Sequence, residues 1–119
     1  MQPRDVAVTY IEALNRDDWQ AMSALFSADA EVSMPGFNVS GREAIVRHYE
    51  RAVGGYFSYH YAEPERVVAD GETVFVLLGI DTSVGGGERR QSVAVDIFDV
   101  ADGQITKLTV VTDTASFGR

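Results

Sequence analysis

The chain has 119 residues, 45% of them hydrophobic and 24% charged, which is long enough for one buried core and too short for two. Its formal net charge is -8 and no cluster of Lys and Arg offsets it, so binding to a nucleic acid backbone is disfavoured. The absence of cysteine removes disulfides, thiolate metal sites and cysteine nucleophiles.

The N-terminal stretch MQPRDVAVTY has no basic segment followed by an apolar one, so its pattern is not typical of a signal peptide. No apolar run approaches the ~20 residues that a membrane-spanning helix needs. We therefore expect a cytoplasmic protein with no membrane partner.

The first 26 residues predict two short amphipathic helices. Pro3 suits a first helical turn, and the apolar spacing that follows predicts a helix over residues 3–15. Asp17, with Gln20 three residues on, is the expected cap of a second helix. The buried stripe of that helix is then Trp19, Met22, Leu25 and Phe26.

A short strand and a third helix come next. The strand is expected from Asp29 to Met34, with Pro35-Gly36 ending it. Ser40-Gly41-Arg42-Glu43 has the spacing of a capping box and predicts the start of the third helix. Ile45, Tyr49 and Ala52 share a face of that helix, which ends at Gly54-Gly55.

From Phe57 onward the hydrophobic period changes to two, which predicts strands near 57–69, 73–83, 90–100 and 104–114. Asp70-Gly71 and Asp102-Gly103 are tight hairpin signals. The run Gly85–Gly87 makes a looser turn and is not a phosphate loop, because no Lys-Ser/Thr follows it. The expected fold is α+β, with three helices covering one face of a curved, mostly antiparallel sheet.

Asp96 stands out within the third of these strands. Val93, Val95 and Ile97 alternate with Ala94, Asp96 and Phe98, so both faces of the strand look apolar. Burying an ionised carboxylate without a partner costs several kcal/mol. We therefore expect Asp96 to face a polar pocket or an interface rather than dry core.

The order of these elements resembles the nuclear transport factor 2-like superfamily, in its SnoaL-like and ketosteroid-isomerase-like branch. The segments that carry the resemblance are YIEALNRDDWQAMSALFSADAEV, SGREAIVRHY and DIFDVADGQI. The resemblance implies that residues 1–119 form a single SnoaL-like domain. The resemblance implies a cone with a deep apolar pocket and a homodimer formed through the outer face of the sheet. Such domains include isomerases, cyclases, dehydratases, epoxide hydrolases and non-catalytic modules, so fold alone does not decide function.

Four positions carry over from the isomerases of this superfamily. Tyr10 falls where a tyrosine donates a hydrogen bond to the substrate oxyanion, and Tyr49 falls where a supporting tyrosine lies. The aspartate base of those enzymes corresponds to Met34, and the acid that shares their oxyanion hole aligns near Ser92. Both catalytic carboxylates are missing, so steroid-type isomerisation is disfavoured.

Asp113 is the expected match to the late-strand acid/base carboxylate of SnoaL-like cyclases. If the 102–103 turn sets the register of the last hairpin, paired positions sum to about 205 and Asp96, Asp113 and Ser92 share a face. A slip of one residue would separate them. Asp113 and Asp96 are therefore the predicted acid/base groups, with Tyr10 as the third catalytic residue.

Other side chains are assigned to the pocket wall, where an apolar ligand would contact them. His60, in the aromatic strand FSYHYAE, reads more simply as core or dimer surface. The two histidines lack metal-ligand spacing, so neither a metal nor another cofactor is expected. The predicted substrate-binding residues besides Tyr49 and Ser92 are Met34, Phe26, Met22, Phe37 and His48.

Three functions follow from these residues. The first is a cofactor-independent enzyme that transfers protons during cyclisation, isomerisation or dehydration of an apolar, oxygenated small molecule such as a polyketide-like substrate. The second is a non-catalytic ligand-binding or dimeric assembly module. The third is epoxide hydrolysis, for which related enzymes use an Asp-Arg-Asp cluster, with Arg47, Arg89 or Arg90 as the arginine here.

Overall fold

The structure is a computed structural model, and it describes residues 1–113. It contains three α-helices, a π-helical turn and six strands. The helices are α1 (Pro3–Asn15), α2 (Trp19–Leu25) and α3 (Arg42–Tyr49), and α3 continues into the π-helical turn Glu50–Gly54. The strands are β1 (Phe26–Met34), β2 (Phe37–Ser40), β3 (Tyr59–Asp70), β4 (Thr73–Ser83), β5 (Arg90–Ala101) and β6 (Gln104–Thr112).

The six strands form one sheet in the order β2-β1-β6-β5-β4-β3. β1 pairs with β6 in parallel, and the other pairs are antiparallel. Residues of α1 contact β3, β4, β5 and β6, so this helix crosses most of one face of the sheet. Bulges interrupt three strand pairs, which bends strands and increases local twist. The predicted α+β fold with three helices on a mostly antiparallel sheet is confirmed.

The core lies between the helices and the inner face of the sheet. Even-numbered residues of β5 from Ala94 to Val100 point inward, and the odd-numbered ones are more exposed. The largest fully buried side chains are Tyr10, Phe26, Phe98, Ile11, Met22, Ile45, Ile105 and Leu108. None of the helices in residues 1–113 is both long and apolar enough to cross a membrane.

The cap of α2 differs from the prediction by one residue. Asp18, not Asp17, is the N-cap, and its Oδ1 accepts a hydrogen bond from Ala21 N at 3.1 Å. Asp17 instead adopts a left-handed backbone conformation with φ of 54°. That geometry, which Asp tolerates better than most residues, turns its side chain toward β3.

The predicted capping box of α3 does not form. Ser40 is the last residue of β2, where it pairs with Glu31, so its backbone is extended and the helix begins later. Gly41 is the N-cap, at φ of 93°, and no side chain caps the helix. Its carbonyl accepts from Ile45 N at 2.9 Å, and its own N–H donates to Ala30 O at 2.8 Å.

Strand β2 is absent from the prediction. Pro35-Gly36 was expected to end the chain's first strand, and it forms a hairpin turn that returns the chain along β1. The four residues of β2, Phe37-Asn38-Val39-Ser40, alternate apolar and polar, but so short a run is a weak signal for a strand. Their hairpin projects beside α3, where it forms part of the cavity described below.

The register of the last hairpin is one residue away from the prediction. A bulge at Asp99 and Val100 shifts the pairing, so Asp96 lies opposite Val110 and Ala94 lies opposite Thr112. Next to the turn, the predicted register holds, with Ala101 opposite Gln104. The expectation that Asp96, Asp113 and Ser92 share one face is therefore wrong for Asp113, because it follows the inward-facing Thr112.

Candidate active site

A cavity of about 900 Å³ opens between the inner face of the sheet, α1, α3 and the π-helical turn. Most of its lining is aliphatic or aromatic. The lining residues are Tyr10, Leu14, Met34, Pro35, Gly36, Phe37, His48, Tyr49, Arg51, Ala52, Val53, Tyr56, Phe57, His60, Tyr61, Ala62, Leu78, Ile80, Ala94, Asp96, Val110 and Thr112. A cavity of this size accepts a drug-sized apolar molecule.

Asp96 supplies the cavity with a buried carboxyl group. It lies on the inward face of β5 between Ala94 and Phe98, and only 5% of its surface is exposed. Burial raises its pKa from 3.8 to about 7, because the low-dielectric surroundings disfavour the charged form. Among residues 1–113, no side chain forms an ion pair with this carboxyl group.

Two buried phenols lie beside this carboxyl group. Tyr10 comes from α1 and Tyr49 from the end of α3, and their ring centroids are 6.1 Å apart. Burial raises the pKa of each phenol well above its ordinary value, and the charge of Asp96 raises both further. Both phenols therefore remain protonated at neutral pH, and a hydrogen bond between their hydroxyl groups uses one of the two protons.

The position of Tyr10 is fixed by aromatic packing. Its ring meets Phe26 at a centroid distance of 5.8 Å and Phe98 at 5.3 Å, both nearly edge to face. Such pairs contribute about 0.5–1.5 kcal/mol each beyond the area they bury. The phenol is consequently held from two sides before any ligand arrives.

An aromatic wall forms another part of the cavity. The His48 ring lies between Phe37 and Tyr49, at centroid distances of 4.9 and 5.6 Å. Burial lowers the pKa of His48, which favours the neutral imidazole in this wall. Phe37 is 43% exposed, so β2 brings it to the rim rather than the floor of the cavity.

A second polar group reaches the cavity from β3. The Nε2 atom of His60 is 2.6 Å from Oδ1 of Asp17, which lies in the turn between α1 and α2. The His60 side chain is 12% exposed and that of Asp17 is 49% exposed. The Asn15 side chain hydrogen-bonds the backbone of Ala62, two residues after His60, which fixes β3 against the end of α1.

Comparison with known families identifies this arrangement. A family model described as a SnoaL-like domain matches residues 7–108. The chain belongs to the SnoaL-like family. Among curated proteins, this SnoaL-like chain has no significant sequence match.

Solved structures resemble this SnoaL-like chain closely in fold and distantly in sequence. A candidate polyketide cyclase from Xanthomonas campestris pv. campestris has a TM-score of 0.86 at 24% identity, covering 97% of this chain and 93% of its own. An epoxide hydrolase of M. tuberculosis, described as LEH-like, has a TM-score of 0.83 at 22% identity, covering 96% and 84%. A candidate ketosteroid isomerase from Kribbella flavida has a TM-score of 0.79 at 24% identity, covering 94% and 78%.

Six of the ten site residues predicted for this SnoaL-like domain line the cavity. They belong to α1, the β1–β2 hairpin, α3 and β5, elements that are distant in sequence and adjacent in the fold. The six residues are Tyr10, Met34, Phe37, His48, Tyr49 and Asp96.

The other four predicted residues are not among those that line the cavity. Met22 and Phe26 are fully buried in the core, where Phe26 supports the ring of Tyr10. Ser92 is partly buried and lies opposite Ile80 near the start of β5. Asp113 is exposed beyond the end of β6, because the bulge in this hairpin turns it away from the inward face.

Sequence reasoning did not assign His60, Arg51 and Tyr56 to the site, and all three line the cavity. The alternation in FSYHYAE does place His60 and Ala62 on the same face, opposite Tyr59 and Tyr61, which was a usable signal. Arg51 and Tyr56 follow α3, in a segment whose direction depends on the π-helical turn. No group of three or more His, Cys, Asp or Glu side chains within residues 1–113 could hold a metal ion.

Proposed function

We propose that this protein is a cofactor-independent enzyme that transfers protons on an apolar, oxygenated small molecule such as a polyketide-like substrate. The observation that carries the proposal is the Asp96 carboxyl group, buried in an apolar cavity with a pKa raised to about 7. A group with that pKa is present in both protonation states near neutral pH, as general acid/base catalysis requires. Cyclisation, isomerisation and dehydration are the reactions that such a group serves.

The carboxylate of Asp96 takes a proton from a carbon next to a carbonyl group, and the C–H electrons move onto the carbonyl oxygen. Tyr10, supported by its hydrogen bond with Tyr49, donates a hydrogen bond to the resulting enolate, whose charge would otherwise be costly in an apolar cavity. Asp96 then returns the proton to another atom. Return to a different carbon gives an isomer, return to a leaving hydroxyl gives water and an alkene, and attack of the enolate carbon on a second carbonyl closes a ring.

Met34 limits the number of carboxylates that can transfer protons in the cavity. It occupies the position where the related isomerases carry their aspartate base, and it lines the cavity as an apolar side chain. Asp96 is also the one carboxylate among the described lining residues. Proton removal and return would therefore use a single carboxyl group.

The test is α-proton exchange of 2-tetralone, an apolar bicyclic ketone, in deuterated water followed by NMR. We expect the wild-type protein to accelerate exchange and Asp96→Asn to reduce the acceleration at least 100-fold. Asp113→Asn is the matched control, because Asp113 is exposed outside the cavity, and it should retain the wild-type rate. Equal exchange rates for the wild type and Asp96→Asn would contradict the proposal.

A non-catalytic binding module is the second candidate, favoured by how few polar groups the cavity wall carries. A binder does not need a carboxyl group that titrates near neutral pH. Carbon-13 NMR of the Asp96 carboxyl group distinguishes the two, since a midpoint near that of free Asp would favour the binder. Epoxide hydrolysis ranks third, because Arg47, Arg89 and Arg90 do not line the cavity and Asp96 is the one carboxylate among the described lining residues.

We also propose that the protein forms a homodimer through the outer face of the sheet. Exposed and half-buried apolar side chains lie side by side there across β4, β5 and β6, with Leu77 opposite Val95 and Val95 opposite Val111. Phe75, Val93 and Val111 are 41%, 59% and 53% exposed. An apolar patch of this kind is typical of a protein–protein contact surface.

A further inference from the structure

Two of the polar groups in the cavity wall, the Asp96 carboxyl group and the His60 imidazole, lie apart from each other. Asp96 lies midway along β5, opposite Val76, and Tyr10 and Tyr49 lie beside it. His60 is the second residue of β3 and lies opposite Thr82, near the far end of β4. The sheet therefore holds the carboxyl group and the imidazole at different levels of the same cavity.

Strand β4 gives a scale for their separation. Val76, opposite Asp96, and Thr82, opposite His60, are six residues apart on this strand. At a rise of about 3.3 Å per residue, the two backbone positions are on the order of 20 Å apart along the strand, and both side chains reach the cavity. The wall between them is mainly apolar, with Leu14, Ala62 and Ile80.

The His60 ring is held in a defined orientation. An ionised Asp17 can only accept, so Nε2 carries a proton and donates to it, and Nδ1 is the ring nitrogen left for a ligand. Asn15 fixes the adjacent backbone by accepting from Ala62 N and donating to Ala62 O, both at 2.8 Å. In residues 1–113, no hydrogen bond to Nδ1 of His60 is found.

We infer that His60, oriented by Asp17, is a specificity-determining residue that binds a hydroxyl group of the ligand at the end of the cavity away from Asp96. The ligand class is therefore an elongated, apolar molecule with an oxygen function at each end. One oxygen lies at Asp96, Tyr10 and Tyr49, and the other forms a hydrogen bond with Nδ1 of His60. The inference deepens the proposed function, but it concerns binding and does not depend on turnover at Asp96.

Two rigid probes test the inference by calorimetric titration. 4,4′-Dihydroxybiphenyl carries a hydroxyl group at both ends, and 4-hydroxybiphenyl carries one. We expect the wild-type protein to bind 4,4′-dihydroxybiphenyl about 3- to 10-fold more tightly than 4-hydroxybiphenyl, which corresponds to the free energy of one hydrogen bond. His60→Phe should abolish this preference without weakening 4-hydroxybiphenyl, and His60→Gln should restore part of it.

Variants at Asp17 separate orientation of the ring from packing. Asp17→Asn keeps an acceptor for Nε2 and should retain the preference. Asp17→Gly removes the acceptor without straining the left-handed backbone and should reduce the preference. Because Gly also adds freedom to the turn, urea unfolding must show that Asp17→Gly is folded under the titration conditions.

The inference is overturned if the wild-type protein does not bind 4,4′-dihydroxybiphenyl more tightly than 4-hydroxybiphenyl, or if His60→Phe leaves the preference intact. Its failure is distinct from failure of the proposed function. Asp96→Asn should abolish α-proton exchange and leave the ratio of the two affinities unchanged. If Asp96→Asn loses exchange while His60→Phe leaves the ratio of the two affinities unchanged, the proposed enzyme activity stands and the ligand with an oxygen at each end is rejected.

Discussion

The side-chain amide of Asn15 bonds both backbone polar groups of Ala62, donating to its carbonyl oxygen and accepting from its N–H at 2.8 Å each. Asn15 is the last residue of α1, and Ala62 lies on β3 at one side of the cavity with 5% exposure. β3 is an edge strand, so within residues 1–113 no further strand pairs with the N–H and C=O groups of Ala62 on its outer side. The Asn15 amide takes the place of that missing strand.

Asn15→Ala should destabilise the protein by about 1–3 kcal/mol, because it leaves a buried donor and a buried acceptor unsatisfied. Urea unfolding at constant pH measures the change. Asn38→Ala on the exposed strand β2 is the matched control and should stay within about 0.5 kcal/mol of the wild type. Equal stability of the two variants would show that water replaces Asn15 at this position.

Asp96→Asn should stabilise the protein at high pH. The folded-state pKa of Asp96 is raised from 3.8 to about 7, so ionisation favours the unfolded state and wild-type stability falls as pH rises through this range. Above pH 7 the penalty is on the order of 4 kcal/mol, and below pH 4 it is absent because the carboxyl group is protonated in both states.

Urea unfolding of the wild type and Asp96→Asn at pH 4, 6 and 8 measures this penalty. The free energy of unfolding of the variant should exceed that of the wild type at pH 8 and approach it at pH 4. Asp70→Asn, at the exposed end of β3, controls for the loss of one negative charge and should show no such pH dependence. A difference between Asp96→Asn and the wild type that does not change with pH would refute the raised pKa.

Tyr10→Phe should reduce the acceleration of 2-tetralone exchange by about 10- to 100-fold, because it removes one hydrogen bond to the enolate oxygen. The ring keeps its contacts with Phe26 and Phe98, so the variant should remain folded. Tyr59→Phe is the control, since Tyr59 contacts Arg89 outside the cavity and should leave the rate unchanged. Unaltered exchange by Tyr10→Phe would remove the phenol from the mechanism.

Val93→Glu should dissociate the proposed dimer, because it places a charge among apolar side chains of the outer sheet face. Analytical ultracentrifugation at micromolar concentration should show a dimer for the wild type and a monomer for this variant. Val84→Glu, in the turn after β4, is a control with 44% exposure at a position outside the strands. A wild-type protein that sediments as a monomer would reject the dimer outright.

The amino-acid sequence determined the element types of most of this chain. Helical spacing fixed α1 at residues 3–15, and the change to period two at Phe57 located β3 to β6 to within about two residues at most ends. These patterns are local, since a helix or a half-buried strand shows its period in a single window of sequence. Asp96 was also visible, because a carboxylate in an otherwise apolar strand needs a special environment.

Tertiary structure alone decided which of the late carboxylates enters the cavity. One bulge at Asp99 and Val100 shifts the hairpin by a residue, and in a strand a shift of one residue moves every side chain to the other face. That bulge excludes Asp113 from the cavity, and no local sequence pattern predicts the bulge. The pairing of His60 with Asp17 likewise depends on a left-handed residue that brings together positions 43 apart in the chain. Such contacts are fixed by how the whole sheet folds over the helices, so a sequence window cannot contain them.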